Sequence, residues 1–311
     1  MMKERILVIG GSGFIGLNLI NYVNSLTDSC EITVLSRSDS RIVIQNSSIK
    51  YVKGSYGDLD LLSCLFKRER FTKVFHFACT TIPLSSNLDI KSDINDNLIC
   101  TINLLEIMRS YSCHSIVYLS SGGAVYGEYD NDKLKEEYPC QPISSYGILK
   151  WTVEQYIKLY HKQYGFDYLI LRLSNPYGPF HHSNRQGVIN IAVRKALKRE
   201  PFVVWGNGNQ SKDYIFVENI IEVLFELVTR RIQNETINIG SGESFSLNFI
   251  LGKIKELIPT FIVEYQSARP SDIMSLSLNV NKLREMISFK LTPFDQGLQR
   301  TIEWERKNYG Q

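Results

Sequence analysis

The chain has 311 residues, 43% hydrophobic and 22% charged, enough to build a full-sized core in one long domain or two unequal ones, which argues against disorder. Lys and Arg total 35 against 32 acidic residues, a formal net charge of +3, so no strongly basic field of the kind that drives nucleic-acid binding exists and a small partner is expected. The six cysteines (30, 64, 79, 100, 113 and 140) form no C-x-x-C pair, which speaks against a zinc knuckle or a disulfide framework and predicts reduced thiols.

Residues 5–9 (Arg-Ile-Leu-Val-Ile) are a short apolar run ending in glycine and read as a buried parallel strand, with a helix predicted from Phe14 to about Ser25. No stretch approaches the ~18 apolar residues of a membrane span, so a cytoplasmic protein with no membrane partner is expected. Between strand and helix, Gly10, Gly13 and Gly16 are spaced to allow a tight turn, a close backbone approach to a pyrophosphate, and close packing of helix on sheet. Phe14 and Ile15 belong to the same cofactor-binding turn.

Further strands are predicted at 31–35, 49–53, 73–78, 115–119 and 168–173, and helices at 59–67, 93–110 and 147–164. The alternation predicts an α/β fold with a doubly wound, Rossmann-type parallel sheet. The second strand runs into Ser36-Arg37-Ser38, a hydroxyl and a guanidinium that suit a 2′-phosphate, so NADP(H) is favoured. NAD stays possible through Asp39. In the predicted helix 147–164, Tyr146 and Lys150 lie four residues apart on one face, where the ammonium and a nearby nicotinamide cation would lower the phenol pKa from ~10. This pair follows a strand ending Leu119-Ser120-Ser121-Gly122-Gly123-Ala124-Val125-Tyr126-Gly127.

After about residue 174 the texture changes at Asn175-Pro176-Tyr177-Gly178-Pro179. Helices are predicted at 187–199, 217–231, 246–258 and 295–307, with apolar runs at 202–205 and 236–239. The expected division is a dinucleotide-binding domain over 1–173 and a smaller α/β substrate lobe over 174–311, with about 213–240 returning to the first. His181-His182 has no third ligand at sensible spacing, so no metal is predicted.

Together these motifs resemble the extended short-chain dehydrogenase/reductase family of nucleotide-sugar epimerases, dehydratases and reductases. Gly54 to Asp58-Leu59, His76-Phe77-Ala78, Asn97-Leu98 through Asn103-Leu104-Leu105-Glu106, and Arg172 through Pro179 are similar to its other segments. The resemblance implies that Asp58 and Leu59 meet adenine, that Ala78, Asn97 and Pro176 line the cofactor, and that the segment beginning at Arg172 reaches the nicotinamide and the sugar. It makes Tyr146 the acid/base and Lys150 its partner on the nicotinamide ribose. The family's Ser or Thr beside the tyrosine falls on Gly122 here, so Ser121 is the expected substitute, with Ser120 and Thr80 behind it. A nucleotide-diphosphate sugar would be held by Lys212 and by Arg269 and Asp272 of Arg269-Pro270-Ser271-Asp272, with Asn175, Asn190 and Trp205 as further contacts. The expected reaction is NADPH-dependent reduction of a 4-keto group on such a sugar, of the dTDP-4-dehydro-6-deoxyglucose to dTDP-fucose type, for surface polysaccharide. The alternatives are an NAD-dependent UDP-hexose or UDP-HexNAc 4-epimerase and, more remotely, a non-catalytic dinucleotide sensor. Family analogy also suggests a homodimer through a four-helix bundle made by helices 93–110 and 147–164.

Overall fold

A computed structural model describes residues 4–25, 30–38, 44, 46–129, 133–267 and 275–309. The chain divides into two compact units: one holds the residues up to Gly127 with Cys140–Arg172 and Leu227–Ile237, the other Glu128–Pro139, Leu173–Glu226 and the residues from Asn238 on.

In chain order the first elements are β1 (Glu4–Ile9), α1 (Phe14–Asn24), β2 (Cys30–Ser36), β3 (Ile49–Lys53), α2 (Leu59–Glu69), β4 (Lys73–His76), α3 (Pro83–Ser86) and α4 (Ile90–Asp93). A π-helical segment (Ile94–Ile99) leads to α5 (Cys100–Ser110), β5 (Ser115–Ser121), α6 (Gly122–Val125), β6 (Lys133–Leu134), α7 (Ser145–Tyr164), β7 (Asp167–Leu173) and β8 (Asn175–Tyr177). The remainder comprises α8 (Val188–Leu197), β9 (Phe202–Trp205), β10 (Ser211–Phe216), α9 (Val217–Thr229), β11 (Glu235–Ile239), β12 (Ser244–Ser246), α10 (Leu247–Leu257), β13 (Val263–Gln266), β14 (Ser275–Leu278), α11 (Asn281–Met286) and α12 (Phe294–Tyr309).

The main sheet has the order β11-β7-β5-β4-β1-β2-β3. β1 pairs in parallel with β2 and with β4, so the chain leaves β1 to one side and returns to the other. This is the doubly wound, Rossmann-type arrangement expected, and its switch point lies where β1 and β4 end. Ile6 to Ile9 are all buried, which is why the strand reads as an unbroken apolar run rather than an alternation. Leu7, Ile9, Val74 and Ile116 of the sheet share one core with Leu104, Met108, Val153 and Ile157 of the helices. The predicted helix 93–110 is instead α4, a π segment and α5, because Asn97 turns back to bond Asp93 and the register slips by one residue.

In the second unit β12, β10, β14 and β6 form one run of a sheet, with β8 paired to β10, while β9 pairs with β13. No element is predicted from the sequence over 211–216, where Lys212 and Asp213 sit within β10, aligned with Phe245 and Ser244. Val193, Val204, Phe216, Ile250, Ile254 and Leu298 form this unit's core. No helix among the described residues is long and apolar enough to cross a membrane.

Candidate active site

At the end of β1 the chain turns through Gly10, whose φ of +82° and whose closeness to Ala78 leave no room for a side chain: a Cβ would sit 2.7 Å from the Ala78 nitrogen. A Cβ on Gly16 would fall 2.4 Å from the Gly11 Cα, so α1 can lie directly on the turn only with glycine there. Exposed Gly13 is the N-cap of α1 and contributes no capping side chain, so the first N–H groups of the helix remain available to an anion. Phe14 and Ile15 open the helix half-buried. A bare, positively polarised helix start behind a glycine cradle fits the pyrophosphate of a dinucleotide.

At the end of β2, Ser36 Oγ donates to the Ser38 carbonyl at 2.8 Å and Arg37 is exposed. Asp39 lies outside the described residues. Asp58 is the N-cap of α2, accepting from Leu61 N at 3.0 Å, and Leu59 beside it is exposed. Local capping accounts for Asp58 without any ligand.

Tyr146 and Lys150 both belong to the first two turns of α7, whose N-cap Ser144 accepts from Gly147 N at 3.2 Å. Lys150 is buried and donates to the Leu119 carbonyl at 2.7 Å, with its ammonium 4.8 Å from the centre of the Tyr118 ring and 5.7 Å from that of Tyr146. Burial lowers the pKa of Lys150. Burial also raises the Tyr146 phenol, helped by the neighbouring charges of Cys79 and Asp93 and opposed by hydrogen bonding from Ser121. The lowering expected from the sequence invoked the ammonium together with a nearby nicotinamide cation, and it would act against this burial. Desolvation is the largest influence on the phenol, and a bound nicotinamide cation would act in the opposite sense. His76, buried behind the pair, has its pKa pushed down to about 3 by burial and then by Lys150. It is a neutral ring bonded through Nε2 to Thr101 Oγ1 at 2.9 Å.

Of the three hydroxyls considered for the position lost at Gly122, Ser121 lies against Tyr146. Ser120 is buried and donates to Glu154 Oε1 at 2.5 Å. The Thr80 hydroxyl accepts from Asn97 Nδ2 at 2.8 Å, while Asn97 Oδ1 accepts from the Thr80 N–H at 2.9 Å. Asn97 and Ala78 line the same small cavity as Tyr146 and Lys150, about 10 Å³ in volume, the space of one water.

In the second unit, Asn175 donates to the Asp213 carbonyl at 2.9 Å, and Pro176 is aligned with Ile215 in the adjoining strand. Asn190 is fully buried, its carboxamide bonded to Gly178 N, Gly178 O and Glu305 Oε1, so it braces the segment after β8 rather than offering an open polar edge. Trp205 closes β9 and lines an open hollow with Tyr265, Gln266 and Ser267, while Lys212 is half-buried in β10. Arg269 and Asp272 lie outside the described residues. Arg172, at the head of the segment expected to reach nicotinamide and sugar, is buried and paired with Glu154 at 2.8 Å.

Sequence reasoning missed Glu154 and Asp93. Glu154 was legible as the next step after Tyr146 and Lys150 on one helix face, four residues on. Asp93 had only its four-residue spacing from Asn97.

The sequence profile of the NAD dependent epimerase/dehydratase family matches residues 6–240. A putative UDP-glucose 4-epimerase of Methanocaldococcus jannaschii is 32% identical, covering 97% of this chain and 99% of that protein. The dTDP-4-dehydro-6-deoxyglucose reductase of Escherichia coli is 26% identical, with 97% of each covered. Among solved structures, the UDP-glucose 4-epimerase of Thermotoga maritima, determined with UDP-glucose, superposes with a TM-score of 0.91 at 28% identity, covering 98% of this chain and 99% of that one.

Proposed function

Because the chain belongs to the NAD dependent epimerase/dehydratase family, we propose that it is a nucleotide-sugar 4-epimerase, with NAD held by the first unit and a UDP-hexose or UDP-HexNAc by the second. The observation that carries the reading is the buried Tyr146–Lys150 pair with Ser121 on the phenol, a constellation that a mere dinucleotide sensor would not need. The full-length similarity to UDP-glucose 4-epimerases supports the epimerase above the ketoreductase expected from the sequence.

Gly10, Gly13 and Gly16 would hold the pyrophosphate and Lys150 the nicotinamide ribose. When bound, NAD supplies the hydride acceptor and returns the hydride, so no reductant is consumed. Tyr146 takes the proton of the C4 hydroxyl and gives it back, and Ser121 orients the same oxygen. Lys150, fixed by the Leu119 carbonyl, holds positive charge beside the phenol as it ionises. Incubating the purified protein with UDP-glucose and NAD is expected to form UDP-galactose; NADPH oxidation with dTDP-4-keto-6-deoxyglucose and no UDP-galactose would reverse the choice.

One observation favours the 4-ketoreductase as a second reading. Exposed Arg37 after Ser36 suits the 2′-phosphate of NADPH. Arg37→Asp is expected to weaken NADPH binding about tenfold or more and to spare NADH. Equal losses in a fluorescence titration would remove Arg37 from the 2′-phosphate.

Exposed Ile148, Trp151 and Leu159 run along α7, and Ile94 and Ile99 are exposed on the π segment. They support a homodimer built on these helices. Trp151→Glu is expected to sediment as a monomer where the unaltered protein sediments as a dimer.

A further inference from the structure

The acid–base chemistry above leaves one buried carboxylate unused. Asp93, the last residue of α4, is fully buried. Its Oδ2 accepts from Ser145 Oγ at 2.9 Å, and its Oδ1 accepts from Thr81 Oγ1 at 2.5 Å and from Asn97 Nδ2 at 2.8 Å. All three donors are neutral, and among the described residues no ion pair includes Asp93. A charge withdrawn from water without a directly bonded counter-charge is costly and needs a reason.

Its surroundings supply one. Ser145 is the residue before Tyr146, and Asp93 lines the same small cavity as Tyr146 and Lys150. The π segment starts at the very next residue and brings Asn97 Nδ2 within 3.2 Å of the Asp93 carbonyl as well as onto its carboxylate. Such segments recur where a helix is distorted to serve a site.

We propose that Asp93 is a positioning and charge-setting residue for Tyr146: it fastens the first turn of α7 through Ser145 and opposes the Lys150 ammonium, so that the phenol keeps its proton until cofactor and substrate are in place. The assignment rests on the acid–base reading of Tyr146. The titratable groups sharing the cavity with Tyr146 are Lys150 on its own helix, Cys79 after β4, His76 on β4, Tyr118 on β5, Tyr56 after β3, and Asp93. Burial keeps His76, Tyr118 and Tyr56 neutral near pH 7. Cys79 and Asp93 act on the phenol itself, while the Lys150 ammonium lies 5.7 Å from the Tyr146 ring centre and feels Glu154 on the same helix as well as Cys79 and Asp93.

Asp93→Asn separates charge from placement, because the amide oxygen can accept from Thr81 and Asn97 while its N–H donates to Ser145. With NAD bound, the variant is expected to ionise Tyr146 about one pH unit lower, the size of shift a charge in close range produces. The shift is read as movement of the acid limb of kcat/KM for UDP-glucose toward lower pH. Independently of turnover, it is read by NMR titration of ring-labelled tyrosine, with the Tyr146→Phe spectrum identifying the resonance. Ser145→Ala, which cuts one tether and keeps the charge, is expected to lower kcat several-fold and leave the limb in place. Asp93→Ser tests the same charge if the amide is not tolerated. An unmoved Tyr146 titration in a folded, neutral variant, or an equal shift in Ser145→Ala, would overturn the assignment. Retained turnover in Tyr146→Phe would instead remove the acid–base reading on which it stands.

Discussion

Replacing Tyr146 by phenylalanine is expected to lower turnover by about 10³-fold, the range for losing a positioned acid–base group, while leaving NAD binding unchanged. The two effects separate because Lys150 does not depend on the phenol for its position. Its ammonium is held by the Leu119 carbonyl and the face of Tyr118, both on β5. Only the proton path is lost. In the unaltered enzyme, burial holds the phenol above its ordinary value, so its ionised form is scarce near neutral pH. Turnover that begins by taking the C4 proton should therefore rise with pH, and this limb should vanish in Tyr146→Phe. Rates measured across pH together with a calorimetric NAD titration check both. Turnover within tenfold of the original would end the acid–base role, and lost NAD binding would reassign Tyr146 to holding the cofactor.

Glu154→Gln is expected to destabilise the protein by about 3–5 kcal/mol, the cost of leaving one partner of a buried ion pair unmatched. Glu154 and Arg172 are both almost wholly inaccessible, and the guanidinium reaches the carboxylate through Nε at 3.1 Å and through its second amino group at 2.8 Å. Its remaining amino group donates to the Tyr126 hydroxyl at 2.9 Å, and Ser120 donates to Glu154 Oε1. The pair thereby ties α7, one turn beyond Lys150, to β5 and β7. A fall of about 5–8 °C in Tm is expected by calorimetry, since an unfolding entropy of about 2.1 cal/mol/K per residue makes each kcal/mol worth roughly 1.5 °C in a chain of 311 residues. The double variant Glu154→Leu with Arg172→Met should recover part of the loss, because two apolar side chains leave no unpaired charge. A Tm within about 2 °C of the original in Glu154→Gln would show that the pair contributes little.

How much of this was legible beforehand differs from residue to residue. Gly10, Gly13 and Gly16 could be read because a turn and a helix start are fixed by backbone sterics among near neighbours. Tyr146 and Lys150 could be read because helical spacing alone puts them on one face. Asn190 was named as a substrate contact, whereas the fold buries it, and Arg172, which opens the segment expected at the nicotinamide and the sugar, is buried as well. Their partners, Glu305 and Glu154, lie far along the chain, and spacing carries no information about such contacts. β10 was obscured for a related reason, since Lys212 and Asp213 are polar and their strand exists through its pairing with β8, β12 and β14.

By itself, then, the sequence determined the doubly wound sheet, the glycine cradle at the end of β1 and the placement of Tyr146 and Lys150 on one face of α7, because each follows from a local period or a steric rule within a few residues. Tertiary structure alone decided that burial raises the phenol and that Ser121 is the serine lying against it. It also decided that Asp93 faces the same cavity, since burial and long-range pairing set the charge balance there and neither is written in the spacing of the chain.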